Sequence, residues 1–320
     1  MIFEQPVLQL QTSLLDQSIS APTDFSLGPS HMIYQIPHNA TPYCADFDNR
    51  FLICVTSPQI LDRPFLYKAQ REQAQSVIKI PFSELQIDNV TPTFIFSTGR
   101  CGSTLLVGIL QALGVPSVSE PDYFRQIAVM SAQAAPQSSD GYVRVMRSAT
   151  AMLAKRLGGP SPVIKLHLAC NLAPLLITQA FPSVKLIFIV REFRGWAMSL
   201  KRVSPSLSAE AAVGTFNQAL GALYSLSQFH QVRVCHYQDI AQIDVDYVQD
   251  LVSFLGHDKP VPSELLQQVL SRDSQEGTSV SRDRVAHRRI PPAFSKDVER
   301  LWKNERPDRL IQDLGLGGLI

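Results

Sequence analysis

Apolar positions in the first part of the chain come in short runs, HMIYQIP, RFLICVTS, PFLYKAQ and SVIKIPF, separated by Pro, Asn and Asp. Runs of that length bounded by turn residues read as strands, so residues 1–88 are expected to form a β-rich N-terminal extension or subdomain. From Pro92 the pattern changes. TFIFST is a continuous apolar run, as a strand buried on both faces requires. GSTLLVGILQALG follows, with Leu105, Leu106, Ile109, Leu110 and Leu113 on one helical face and Gly114 as a stop. VPSVSE reads as a second short strand, and residues 122–157 as mainly helical, carrying Arg144, Arg147, Lys155 and Arg156.

Farther along, the pattern predicts a strand in SPVIKLHL, a helix in NLAPLLITQAF capped by Asn171, and a strand in VKLIFIV. Helices in GWAMSLKRV and near 209–229, a strand in VRVCHY, and helices in VDYVQDLVSFLG and SKDVERLWKNE complete the chain. Strands alternating with helices predict an α/β domain over 89–320, with a central, mostly parallel sheet flanked by helices in three layers. Ligands of such sheets gather at the carboxyl ends of the strands.

Composition narrows the function classes. With 320 residues, 45% hydrophobic and 18% charged, the chain has ample material for a core. Its 29 basic and 28 acidic residues leave a net charge of +1, so no global field recruits nucleic acid or a membrane. Five scattered cysteines without a CxxC read as reduced thiols rather than a disulfide framework or zinc site. No apolar stretch is long enough to span a bilayer and the N-terminus lacks a signal-peptide pattern, so a cytoplasmic location is expected. The histidines show neither HxxxH nor HExxH spacing, and no metal is expected.

The chemistry begins at TFIFSTGRCGSTLL. A strand, a turn with Gly99 and Gly102, and a helix start make an anion cradle, because free backbone N–H groups and the helix dipole point at one place. A P-loop kinase places lysine directly after the second glycine. Here that position is Ser103, and the cation is Arg100. Three other stretches carry candidate groups. In VIKLHL, Lys165 and His167 alternate onto one face of a strand near its carboxyl end. In LIFIVREFRGWAMSLKR, Arg191 follows an apolar strand and Ser199 lies eight residues later in a helix, a guanidinium and a hydroxyl suited to a phosphate. Glu120, in SVSEPDYF, is a further carboxylate beside a strand end.

TGRCGSTLL resembles the 5′-phosphosulfate loop of the sulfotransferase family, VIKLHL its K-T-H-L strand, and the Arg191/Ser199 pair its 3′-phosphate motif. YQDIAQIDVDYVQDLVSFLG resembles the family's Y-E-D-L … F-L-G segment. The matches run in order from Thr93 to Gly256, about half the chain.

The resemblance implies a P-loop-like fold and 3′-phosphoadenosine 5′-phosphosulfate as donor, with a sulfuryl group moved to an acceptor hydroxyl or amine. Arg100 would stabilise the leaving bridging oxygen. The amides from Cys101 through Gly102 to Leu105, with Ser103 and Thr104, would hold the 5′-phosphosulfate, and Arg191 and Ser199 the 3′-phosphate. His167 would be the general base, with Lys165 steering sulfuryl oxygens. Glu120 is the rival base, near where the tyrosylprotein branch places a glutamate, and His167 is preferred. No metal is needed. The acceptor is an unidentified small molecule, glycan or lipid.

The chain departs from the family twice. The C-terminal arginine-lysine-glycine loop has no clear copy, only Arg282, Arg284, Arg288 and Arg289 in the corresponding part of the chain. Neither Trp196 nor Trp302 occupies the family's adenine-stacking position. Two alternatives stay open at this level: a P-loop kinase with a degenerate loop, and a non-catalytic descendant that binds a nucleotide or partner.

Overall fold

The computed structural model describes residues 1–13, 18–133, 139–242, 244–276 and 278–317, and of Arg282 the backbone alone. The N-terminal part forms an antiparallel six-stranded sheet from β1 (Ile2–Leu10), β2 (Phe25–Leu27), β3 (His31–Ile33), β4 (Ala40–Asp46), β5 (Phe51–Thr56) and β6 (Ser76–Pro81). The order is β2-β1-β6-β5-β4, with β3 beside β1. β5 is buried from Leu52 onward, which accounts for its unbroken apolar run.

One stretch read as a strand is a helix. PFLYKAQ enters α1 (Leu66–Gln73), where Leu66, Ala69 and Gln70 are buried at helical spacing. The polar KAQREQ continuation favours a helix, and an apolar run this short does not distinguish the two periods. Arg71 of α1 is fully buried and donates to the Tyr43 hydroxyl at 2.8 Å and to Asp24 Oδ2 at 3.1 Å, so its charge is paired where it is desolvated.

The second sheet has five parallel strands: β7 (Thr93–Ser97), β8 (Ser117–Ser119), β9 (Val163–Lys165), β10 (Lys185–Val190) and β11 (Val232–His236), ordered β11-β10-β7-β9-β8. Helices flank it, so the α/β class with a β-rich N-terminal part holds. The helices are α2 (Ser103–Ala112), α3 (Asp122–Gln133), α4 (Asp140–Leu157), α5 (Pro174–Gln179), α6 (Phe193–Val203) and α7 (Ala209–Ser227). After β11 come α8 (Tyr237–Gln242), α9 (Val245–Phe254), α10 (Ser263–Ser271), α11 (Arg282–Val285) and α12 (Pro292–Glu305). Residues 134–138, inside the stretch read as helical, lie outside the described residues.

The chain divides into two compact units, one of residues 1–94 and 114–184, the other of 95–113 and 185–320. In the first, α3 packs on β4, and Gln126 completes that strand's edge. Its amide donates to the Ala45 carbonyl and accepts from the Ala45 N–H, both at 2.7 Å.

Two local expectations in that unit are corrected. β9 stops at Lys165, and His167 caps a 3₁₀ turn over Leu168–Leu172 instead of continuing the strand. The helix that follows is preceded by Ala173 rather than capped by Asn171, because Pro174 supplies its first position. Among the described residues no helix is long and apolar enough to cross a membrane.

Candidate functional site

The loop after β7 carries three departures from ordinary backbone within four residues. Gly99, Arg100 and Gly102 have φ of 76°, 48° and 78°. Left-handed backbone is open to glycine, but at Arg100 it costs about 1–2 kcal/mol. The strain is held by contacts within the same unit. Thr98 N–H donates to the Ile189 carbonyl at 3.1 Å, and the Trp196 indole N–H donates to the Thr98 carbonyl at 2.8 Å. Gly102 leaves little room for a side chain, since a Cβ there would sit 3.1 Å from Cδ2 of Tyr237 on left-handed backbone.

α2 begins at Ser103, directly after this turn, so its first amides lack intrahelical acceptors and carry the positive end of the helix dipole. Cys101, Ser103 and Thr104 are buried around it, with Cys101 fully so, while Leu105 is half-buried. The Thr98 hydroxyl is also buried and has no hydrogen-bond partner among the described residues. Buried hydroxyls are rarely left unpaired, so the loop has donor capacity that the protein itself does not use.

Two arginines and a serine predicted far apart in sequence come together here. Arg191, following β10, donates from Nη1 to the Arg100 carbonyl at 2.9 Å, and its guanidinium lies 4.2 Å from the Tyr237 ring centroid. Arg100 donates from Nε to Ser199 Oγ at 3.4 Å and from Nη1 to Gln275 Oε1. Among the described residues the groups in direct contact with the guanidiniums are a carbonyl, a hydroxyl, an amide and a ring, all neutral. Burial first, then the neighbouring Arg191, works against the Arg100 charge and lowers its pKa; Asp273 pulls the other way. Glu192, beside Arg191 in sequence, is occupied as the cap of α6, accepting from the Arg194 and Gly195 N–H groups at 2.6 and 2.7 Å.

Both tryptophans have packing roles: Trp196 braces Thr98, and Trp302 stacks on Phe193 with centroids 4.0 Å apart. Of the C-terminal arginines, Arg288 donates to the Arg202 and Val203 carbonyls at 3.0 and 3.4 Å, closing the end of the helix that carries Ser199.

In the other unit, Glu120, Lys165 and His167 form a second cluster. Glu120 follows β8 with φ of 56°, is 6% exposed, and forms an ion pair with Lys165, while its N–H donates to the Lys165 carbonyl at 2.7 Å. Burial raises the Glu120 pKa, but Lys165, His167 and Arg125 outweigh it and the net shift is downward. The carboxylate is therefore held ionised. The adjacent Ser119 hydroxyl is buried without a hydrogen-bond partner among the described residues.

His167 differs from its sequence reading in more than its element. The Ala169 N–H donates to its Nδ1 at 3.0 Å, so Nδ1 is an acceptor and the proton of the neutral ring belongs on Nε2. Burial pushes the His167 pKa down to about 4; Glu120 opposes the shift, and Arg125 and Lys165 add to it. At neutral pH the ring is a neutral Nε2–H donor.

Sequence reasoning missed several neighbours of these clusters. Tyr237 supports both Gly102 and Arg191, although it was visible only as part of an architectural segment. Gln275 carried no motif. Helix α1 of the N-terminal part brings Tyr67 and Lys68 within electrostatic reach of Glu120: the Tyr67 phenol is raised chiefly by burial and then by Glu120, and Lys68 is lowered chiefly by burial against the pull of Glu120.

No family model and no curated protein matches the chain. Solved sulfotransferase structures do resemble it. The sulfotransferase domain of the Synechococcus PCC 7002 olefin synthase is 17% identical at a TM-score of 0.41, covering 68% of this chain and 95% of that one. A sulfotransferase from Alicyclobacillus acidocaldarius is 17% identical at a TM-score of 0.41, covering 68% and 96%. Retinol dehydratase in a complex with retinol and PAP is 13% identical at a TM-score of 0.37, covering 74% and 86%.

Proposed function

We propose that the chain is a sulfotransferase that uses 3′-phosphoadenosine 5′-phosphosulfate and an acceptor hydroxyl or amine on a small molecule, glycan or lipid. The observation that carries this reading is the meeting of Arg100, Arg191 and Ser199 beside the N-terminus of α2, with both guanidiniums held by neutral groups. Both guanidiniums are half-buried, and Asp273 only partly offsets the burial and the Arg191 charge that work against Arg100, so an anion with two charged ends would favour both charges. The residues suit the donor: amides of 101–105 with the Ser103 and Thr104 hydroxyls for the 5′-phosphosulfate, Arg191 and Ser199 for the 3′-phosphate.

The donor supplies an activated sulfuryl group. In the transfer the bond from sulfur to the 5′-phosphate oxygen breaks, the acceptor oxygen or nitrogen bonds to sulfur, and the acceptor proton leaves. Arg100 offsets charge on the departing oxygen. Glu120 is the preferred proton acceptor here because its base form is populated at neutral pH, even though the Lys165 ion pair that lowers its pKa weakens it as a base, whereas His167 has its only basic nitrogen engaged by the Ala169 N–H. Lys165 orients the carboxylate, and the His167 Nε2–H donates a hydrogen bond to the acceptor. This reverses the preference that the sequence alone suggested.

Thermal unfolding with adenosine 3′,5′-bisphosphate, AMP and Mg-ATP tests the reading. A ligand at a hundred times its Kd adds about 2.7 kcal/mol of stability, so selective stabilisation by the bisphosphate is expected. Stabilisation by Mg-ATP alone would replace the sulfotransferase reading with a kinase one. Sulfated product from an acceptor panel, lost in Glu120→Gln and retained in His167→Asn, assigns the base.

A further inference from the structure

Among the described residues, Gln275 is the farthest along the sequence to hydrogen-bond a side chain of the loop. It lies after α10, which packs on α2 in the same compact unit. Its backbone is tied on both sides: the N–H donates to Asp273 Oδ1 at 3.0 Å, and the carbonyl accepts from the Thr278 N–H and hydroxyl at 3.1 and 2.7 Å. The Glu276 N–H in turn donates to the Asp273 carbonyl at 2.9 Å. From this built turn the side-chain carbonyl accepts from Arg100 Nη1. The local sequence is Arg272-Asp273-Ser274-Gln275-Glu276, with carboxylates on either side. The group that reaches the guanidinium is nevertheless the amide, while the Asp273 carboxylate is turned to a backbone N–H.

We infer that Gln275 is a positioning residue for Arg100, fixing the guanidinium through a neutral carbonyl so that its full charge stays available to an anionic donor. Arg100 sits on strained backbone with a long side chain, so without a fixed acceptor its guanidinium samples several rotamers. A carboxylate at 275 would fix it equally well, but would neutralise it in advance. A neutral acceptor restrains position and leaves charge unspent, which is the requirement for a group that must act on charge developing in a transition state. The functional consequence rests on the sulfotransferase reading; the restraint of Arg100 does not.

The test uses the full chain and three variants, Gln275→Leu, Gln275→Glu and Gln275→Asn. The first readout is the Arg100 Nη–H signal, from the nitrogen that donates to Gln275, in ¹⁵N NMR at low temperature where guanidinium rotation is slow, assigned by its loss in Arg100→Lys. In the parent it should be sharp and slow to exchange with water; in Gln275→Leu exchange should rise about tenfold as the restraint is lost, and in Gln275→Glu it should stay slow. The second readout is kinetic. Gln275→Leu should lower kcat about tenfold with little change in bisphosphate Kd or donor KM, the split expected when positioning is lost. Gln275→Glu, nearly isosteric and folding like the parent, should weaken bisphosphate binding about tenfold by placing a negative charge on Arg100, and Gln275→Asn should fall between parent and Leu. An unchanged Arg100 signal in Gln275→Leu, or binding by Gln275→Glu equal to the parent's, overturns the inference. A parent that binds no bisphosphate overturns the sulfotransferase reading instead, and the NMR readout still decides the role of Gln275.

Discussion

The two clusters solve opposite electrostatic problems. Around α2, Arg100 and Arg191 are held by a carbonyl, a hydroxyl, an amide and a ring, so positive charge is positioned but not cancelled. Around β8 and β9, Glu120 and Lys165 cancel each other, and His167 is kept neutral by burial. The first arrangement suits a group whose counter-charge arrives with a ligand. The second suits a carboxylate that must be ionised and aimed whether or not a ligand is bound. Strain marks both: Arg100 and Glu120 are two of the three non-glycine residues with positive φ among the described residues. Left-handed backbone at a charged side chain persists where surrounding contacts over-determine it, and it clusters at functional sites.

The sharpest way to break the contrast is to uncharge one member of each cluster. Glu120→Gln should lower sulfuryl transfer by about a hundred- to ten-thousandfold, the range of a lost general base. It should also cost about 3–5 kcal/mol of stability, because Lys165 remains buried and unpaired. Adding Lys165→Met should recover most of the stability and none of the activity, as read by chemical denaturation beside a transfer assay. Arg100→Ala should lower kcat about a hundred- to thousandfold and leave the unfolding midpoint within a few degrees of the parent, since no buried partner charge is stranded. If the stability losses of the two variants were equal, the distinction between a cancelled and an uncancelled cluster would fail.

Acid titration separates the clusters next. The folded pKa of His167 is about 4 against an ordinary value of 6.5. Above pH 6.5 the ring contributes nothing to pH dependence. As pH falls toward 4 the unfolded chain binds a proton that the folded protein refuses, and up to about 3 kcal/mol is lost. Glu120, whose folded pKa is lowered, adds a further loss only as pH drops below the ordinary carboxylate range and through that lowered value. Denaturation midpoints followed from pH 7 to 4 should fall in the parent and fall less in His167→Asn.

Backbone changes give the smallest effects. Gly102→Ala should cost about 1–2 kcal/mol from its left-handed φ, with added strain where the methyl meets Tyr237. Arg50→Gly, at the left-handed residue between β4 and β5, should gain up to about 1 kcal/mol without touching activity.

What could be read from the sequence was what is local in the sequence. The loop's glycines, its arginine and the helix behind them sit within a dozen residues. Arg191 and Ser199 are linked by a fixed geometry, a strand end and about two helical turns, so spacing alone brings them to one place. The parallel sheet was legible for the same reason, since buried strands are continuous apolar runs. His167 failed that logic because one backbone contact, from the Ala169 N–H, both ends the strand and decides which nitrogen carries the proton. PFLYKAQ failed because its burial is set by partners in β4 and the segment before β2, and a short apolar run fits either period. Tyr237 and Gln275 were beyond reach: each acts on the loop from more than a hundred residues away, and neither residue type announces that contact.

The central claim is that Arg191 reads a 3′-phosphate, and calorimetry of adenosine 3′,5′-bisphosphate against AMP, with the parent and Arg191→Ala, tests it most directly. The two ligands differ in that phosphate alone. In the parent the bisphosphate should bind at least about tenfold tighter than AMP, as a charge-assisted contact of about 1.5–3 kcal/mol implies; in Arg191→Ala the ratio should fall close to one while AMP binding stays as it was. A ratio that survives the substitution, or a parent that does not distinguish the two ligands, would contradict the account.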